Sequence, residues 1–202
     1  MPEVLENFVV LEGLDGSGTT TQMKLLKKEL SWRGESVFTT CEPSPLPTGR
    51  LIRQVLRKEI KMEAETLARL FSADRHEHLY GAEDGIITHL NRGELVICDR
   101  YLFSSLAYQS LECGFDLVKE LNPFPLPQHL IYVKLSPEDC RERMSTRSQE
   151  ELFEAEKIQR AIIENYERGM NAYGDCGMKK TVIDGSGSRS EICAEIMKAI
   201  GR

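Results

Sequence analysis

The chain has 202 residues, of which 41% are hydrophobic and 29% charged; that is enough to bury one sizeable core and too short for two typical domains. Its formal net charge of −6 gives no general pull toward nucleic acid or anionic lipid, so polymeric nucleic acid is not an expected partner and any phosphate site must be a local exception. No apolar run approaches the ~20 residues that span a bilayer, and Met1 to Asn7 carries two acids and no basic leader, so the expectation is a cytoplasmic protein without membrane attachment. Cys41, Cys98, Cys113, Cys140, Cys176 and Cys193 are scattered without CxxC spacing, which predicts reduced structural thiols.

In chain order, the apolar run Asn7 to Glu12 predicts a strand, followed by a glycine-rich turn and a helix over Thr20 to Arg33. Ser36 to Cys41 predicts a second strand, and the proline-rich Pro43 to Pro47 a loop before a helix over Leu51 to Leu56. Ala64 to Asn91 has helical spacing, broken or bent near Gly81 and Gly85. Glu94 to Asp99, Leu130 to Leu135 and Thr181 to Asp184 are three further short strands, with helical segments between them. Strands apolar throughout that alternate with helices predict a parallel sheet covered on both faces, with ligands at the carboxyl ends of the strands.

Gly13-Leu14-Asp15-Gly16-Ser17-Gly18-Thr19-Thr20 stands between the first strand and the first helix, where the phosphate-loop pattern G-x-x-x-x-G-K-[ST] belongs. Glycines let backbone N–H groups turn inward, and the helix N-terminus adds partial positive charge. Gly13, Gly16, Ser17, Gly18, Thr19 and Thr20 are therefore candidates to cradle ATP, and the Thr20 hydroxyl is a candidate Mg²⁺ ligand. Thr19 occupies the usual lysine position, so a cation that normally bridges the β- and γ-phosphates is missing. A glycine-rich turn that merely caps a helix is the competing reading. The expected fold is a P-loop α/β three-layer sandwich, with a five-stranded parallel sheet flanked by helices and a mobile lid, in a single domain over residues 1–202.

Four segments carry a likeness to one family: LEGLDGSG at 11–18, EP at 42–43 with TGRLIR at 48–53, LFSADR at 70–75, and DRYLFSSLAYQ at 99–109. In that order and spacing the chain resembles the thymidylate (dTMP) kinases along nearly its whole length. The resemblance implies transfer of the ATP γ-phosphoryl group to dTMP, giving dTDP and ADP, in a homodimer. Another nucleotide or deoxynucleoside kinase, or a nucleotide-binding protein impaired by Thr19, stays open.

Phe71 and Arg75 are four apart and share a helix face; by resemblance Phe71 stacks on thymine and Arg75 bonds its O4, the alternative being a core phenylalanine and an arginine paired with Asp74. Asp99 and Arg100 emerge at the end of a buried strand, a costly place for unpaired charge. The resemblance makes Asp99 an organiser of Mg²⁺ and Arg100 a clamp on phosphate; an internal Asp99–Arg100 pair is the other possibility. It also sets Ser105 and Gln109 at the base edge, Tyr108 against C2′ of the sugar, Asp15 on the 3′-OH, and Glu42 and Arg53 on the acceptor side, with Arg53 helping to hold the monophosphate.

Residues 141–154 correspond to the lid, with Arg141, Arg143 and Arg147 ahead of an acidic helix. Gly16 stands where some relatives carry a basic residue, so Arg143 or Arg147, with Mg²⁺ and Arg100, is expected to replace the absent loop charge. The loop Gly185 to Ser188 lies near the adenine by the same likeness. The four histidines show no metal spacing.

Overall fold

The computed structural model describes residues 2–144 and 149–202. Five strands form one sheet in the order β2-β3-β1-β4-β5, and every neighbouring pair is parallel. They are β1 (Val4–Gly13), β2 (Val37–Cys41), β3 (Leu95–Asp99), β4 (Leu126–Lys134) and β5 (Lys179–Asp184). The central strands are buried because crossover helices cover both faces, which is why they read as unbroken apolar runs.

One core layer lies on each side of the sheet. On one face Phe8, Val10, Val96, Cys98 and Leu130 pack against Tyr101, Phe103 and Tyr166. On the other, Val9, Leu11, Ile97 and Ile131 pack against Leu26, Leu30, Ile192 and Ile196. The latter come from α1 (Thr19–Trp32) and α10 (Arg189–Ala199), whose buried positions four apart present one apolar stripe. Ser188 and Glu191 close a capping box at the start of α10, fixing the turn that precedes it.

Between β2 and β3 run α2 (Pro47–Leu56), α3 (Ala64–Tyr80) and α4 (Ile86–Asn91). The helix expected from Leu51 begins four residues earlier, because Pro47 fills the first helical turn, where its missing N–H costs nothing. Gly81 and Gly85 separate α3 from α4; a Cβ on Gly85 would stand 2.5 Å from the Gly81 carbonyl oxygen. After β3 come α5 (Leu102–Tyr108), α6 (Ser110–Cys113) and α7 (Phe115–Glu120). After β4 come α8 (Pro137–Met144) and α9 (Gln149–Ala172). Arg147, assigned to the lid, lies outside the described residues. All six cysteines are free thiols, and among the described residues no helix is long and apolar enough to cross a membrane.

Candidate functional site

The turn from β1 into α1 is shaped by close approach. A Cβ on Gly13 would meet Ser17 Oγ at 2.5 Å and the Val133 carbonyl oxygen at 2.8 Å, so only glycine lets the loop fold back on the sheet here. Gly16 (φ 87°) and Gly18 (φ 99°) take left-handed conformations, which glycine adopts without Cβ strain. No side chain caps α1 and its first turn holds no acid, leaving the helix N-terminus open to an anion. Ser17 Oγ is buried without a partner among the described residues. Residues 14–20 wall a cavity of about 630 Å³ together with Arg100, Arg143, Ser188 and Arg189. Thr19 is buried, 5% exposed, and brings no charge to it.

The pairing of β1 with β3 sets Leu11 opposite Asp99, bringing Asp99 to the mouth of this loop. The Thr20 hydroxyl donates to Asp99 Oδ2, while Asp99 Oδ1 is buried with no partner among the described residues. A hydroxyl and an unsatisfied carboxylate oxygen suit a hard divalent cation. Among the described residues no group of three or more His, Cys, Asp or Glu could hold a metal by itself, so an ion here would take its other ligands from phosphate and water.

A second cavity of about 440 Å³ lies beyond Arg100 and is lined by Asp15, Glu42, Arg53, Phe71, Arg75, Asp99, Ser105, Tyr108 and Gln109, among others. Arg75 is 1% exposed. Its Nε donates to Glu42 Oε2 at 2.8 Å and its Nη2 to Ser105 Oγ at 3.1 Å, and its Nη1 donates to Asn122 Oδ1. The guanidinium lies over the Tyr101 and Phe124 rings. Its carboxylate partner is Glu42, not Asp74. Asp74 instead accepts from Ser44 N, Ser44 Oγ and Thr48 Oγ1 at 2.6–2.7 Å, pinning the loop between β2 and α2. Arg53 points into the same loop, donating to Ser44 O at 2.5 Å and to Pro43 O. Gln109 Oε1 is buried without a partner among the described residues.

Arg100 stands between the cavities and lines both. It does not pair with Asp99; its Nη2 donates to Asp15 Oδ1 at 2.6 Å, and its guanidinium lies 5.4 Å from the centre of the Tyr108 ring. Its Nη1 donates to Ser104 Oγ at 3.1 Å and Tyr166 Oη at 3.2 Å. Beneath these hydroxyls is Glu12, whose Oε1 accepts from the Tyr101 and Ser104 N–H groups and whose Oε2 accepts from Ser104 Oγ and Tyr166 Oη, all within 2.6–3.1 Å.

Burial pushes the Glu12 carboxyl up to about 7 against the opposing pull of Arg100, Ser104, Tyr101 and Tyr166. A raised value means the folded chain holds this proton more tightly than the unfolded one. The resulting stabilisation is complete below the ordinary value of 4.5 and is lost as pH rises through about 7. Relative to Glu12→Gln, the wild type should therefore lose unfolding free energy between about pH 5 and pH 8. Urea titrations of both at fixed ionic strength check this; a pH-independent difference contradicts it.

Glu12 and Tyr166 carry no role in the sequence reading. The signal available for Glu12 was an acid inside an otherwise apolar run, which demands a partner. Tyr166 falls in a helical stripe with Ile162 and Gly169 and reads as core. Of the arginines expected to belong to a lid, Arg143 lies on the loop after β1: Nη1 donates to Ser17 O at 3.4 Å and Nη2 to Gly185 O at 2.8 Å. Arg141 turns to Glu138 and Glu156 instead. Of the histidines, His78 contacts Thr40 and Glu42, and His89 sits between Asp84 and Glu94.

A family model described as thymidylate kinase matches residues 11–196. A putative thymidylate kinase of Treponema pallidum (strain Nichols) is 45% identical over 166 residues, 81% of this chain and 79% of the relative. A probable thymidylate kinase of Methanococcus aeolicus is 40% identical over 164 residues, covering 80% of this chain and 78% of the relative. The thymidylate kinase of Leptospira borgpetersenii serovar Hardjo-bovis is 35% identical over 200 residues, covering 95% and 91%. Matched from residue 11 to residue 196 and 35–45% identical to these relatives where they align, the chain belongs to the thymidylate kinase family.

Proposed function

We propose that this chain transfers the γ-phosphoryl group of ATP to dTMP, giving dTDP and ADP. The observation that carries the reading is the meeting of two cavities at the Asp15–Arg100 pair, 2.6 Å apart and lining both. A donor phosphate held over the glycine loop and an acceptor phosphate held at Arg100 would face each other in line, and positioning is most of what phosphoryl transfer asks of a protein.

On the donor side, loop amides from Gly13 to Thr20 bind the β-phosphate. On the acceptor side, Phe71 stacks on the base and Arg75 donates to its carbonyl. Ser105 and Gln109 bond the base edge, Tyr108 lies against C2′ and crowds out a ribose hydroxyl, and Asp15 accepts from the 3′-OH. Glu42 holds Arg75 in place. Arg53 gives up loop carbonyls to bind the acceptor phosphate with Arg100. Mg²⁺, held by Thr20 and Asp99 with the donor's phosphates, would neutralise charge on the transferring group. Arg143, or Arg147, supplies the cation that Thr19 does not. We take residues 1–202 as one domain whose lid spans about 141–154, working as a cytoplasmic homodimer.

The test is an ADP-release assay with dTMP, dUMP, UMP, CMP and thymidine as acceptors. Turnover is expected to be highest on dTMP and lowest on CMP and thymidine. Preference for another acceptor would reassign the substrate, and nucleotide binding with no turnover on any of them would overturn the reading.

A further inference from the structure

The contacts around Arg100 form a directed chain. A guanidinium can only donate, and Glu12 in its ionised form, which prevails above about pH 7, can only accept. The hydroxyls of Ser104 and Tyr166 lie between these two and within 2.9 Å of each other; each accepts from Arg100 and reaches Glu12 Oε2, with Gly13 O a second acceptor for Tyr166. Glu12 Oε1 is saturated by two backbone N–H groups, which anchors the carboxylate to the start of α5. Tyr166 comes from α9, which is fixed to α5 by the Asn165 Nδ2 bond to Ala107 O at 3.1 Å and by Gly169, whose Cβ would stand 3.3 Å from Leu106. The remaining partner of Arg100, Asp15, has its side chain 66% exposed and can be exchanged for an incoming anion. Glu12 and Tyr166 cannot, because both are buried.

We infer that Glu12 and Tyr166 are positioning residues: through the Ser104 and Tyr166 hydroxyls, Glu12 sets the Arg100 guanidinium for the 5′-phosphate of the acceptor. The inference rests on the acceptor reading above and adds two residues that touch no substrate. Neither residue has a hydrogen bond to Arg75, Phe71 or Gln109; the Tyr166 ring meets Tyr108 edge-on, a contact that Tyr166→Phe keeps, so that variant tests the hydroxyl alone.

The test is equilibrium binding of dTMP and of thymidine, by calorimetry without ATP, to wild type, Tyr166→Phe, Glu12→Gln, Arg100→Ala and the double variant Tyr166→Phe/Arg100→Ala. Wild type is expected to bind dTMP more tightly than thymidine; equal binding would count against the acceptor reading itself, whatever the variants do. Tyr166→Phe should weaken dTMP about tenfold and leave thymidine within about twofold, and Glu12→Gln should do the same more strongly. In the Arg100→Ala background Tyr166→Phe should cause no further loss, since the residue it positions is gone. Equal losses for dTMP and thymidine, or additive losses in the double variant, would show a merely structural role and overturn the inference. Should Glu12→Gln fail to fold, Tyr166→Phe and the double variant decide the matter alone.

Discussion

Arg100→Ala is expected to lower kcat/KM for dTMP by about 10²-fold, the loss of charge-assisted hydrogen bonds to the acceptor phosphate. Three observations favour a loss of function over a loss of fold. The side chain's partners are two hydroxyls and the exposed Asp15, so its removal strands no buried anion directly against it. The backbone at Arg100 has φ 74°, strained for any residue with a Cβ, and alanine leaves that strain unchanged. The Arg100 N–H bond to Leu11 O also survives the substitution. Thermal midpoints close to wild type should therefore accompany the kinetic loss. Arg100→Lys should recover only part of it, because a point charge cannot keep a hydroxyl pair and a phosphate in one planar fork. Steady-state kinetics with dTMP varied at saturating ATP measure the effect, and a loss smaller than about fivefold would remove Arg100 from the phosphate site.

The second large effect is expected at Arg143, where alanine should reduce kcat by about 10²-fold with a smaller change in KM for dTMP. The chain carries no lysine in its phosphate loop, and Thr19 is buried and neutral. The Arg143 guanidinium lies against the loop backbone, 3.9 Å from where a Gly18 Cβ would stand. Its two carbonyl partners, Ser17 O and Gly185 O, are replaceable by phosphate oxygens, which bind a guanidinium more strongly than neutral carbonyls do. The diagnostic companion is Thr19→Lys. Added to Arg143→Ala it should restore about tenfold, because the loop then supplies its own cation. If Arg143→Ala turns over within about threefold of wild type, the charge comes from elsewhere and Arg147 is the next residue to replace.

The course of the sheet was legible because each central strand is covered on both faces and so lacks alternation. Its ends were not. β1 continues back from Asn7 to Val4 because Val4 and Leu5 pair with Leu126 and Pro127 across a register shift. There the Asn7 N–H is satisfied by the Gln128 side chain, a partner 121 residues away that no local pattern reveals. β4 likewise starts before Leu130, at Leu126, as the other half of that pairing. The residues lining the second cavity could be named because four short segments carry the resemblance to the thymidylate kinases. The partner of Arg75 could not, since nearness in sequence suggests Asp74 while the fold delivers Glu42 from 33 positions away. Glu12 and Tyr166 stayed hidden for the same reason: their bond spans 154 positions. An acid in an apolar run says that a partner exists without saying which.

The way Arg75 is engaged bears on which letters of the genetic alphabet this pocket can accept. Hydrogen bonds to Glu42, Asn122 and Ser105 use one N–H on each of the three guanidinium nitrogens, and Nη2 also stands 2.6 Å from Glu42 Oε2, so the second Nη1 N–H has no partner among the described residues. On the acceptor reading proposed above, an Arg75 N–H turned to the base would welcome a keto oxygen but not an exocyclic amine, so uracil and thymine would fit where cytosine sets hydrogen against hydrogen. Discrimination of that kind comes from an unmet bond of about 1–3 kcal/mol, and it would persist in a pocket too roomy to exclude the wrong base by shape.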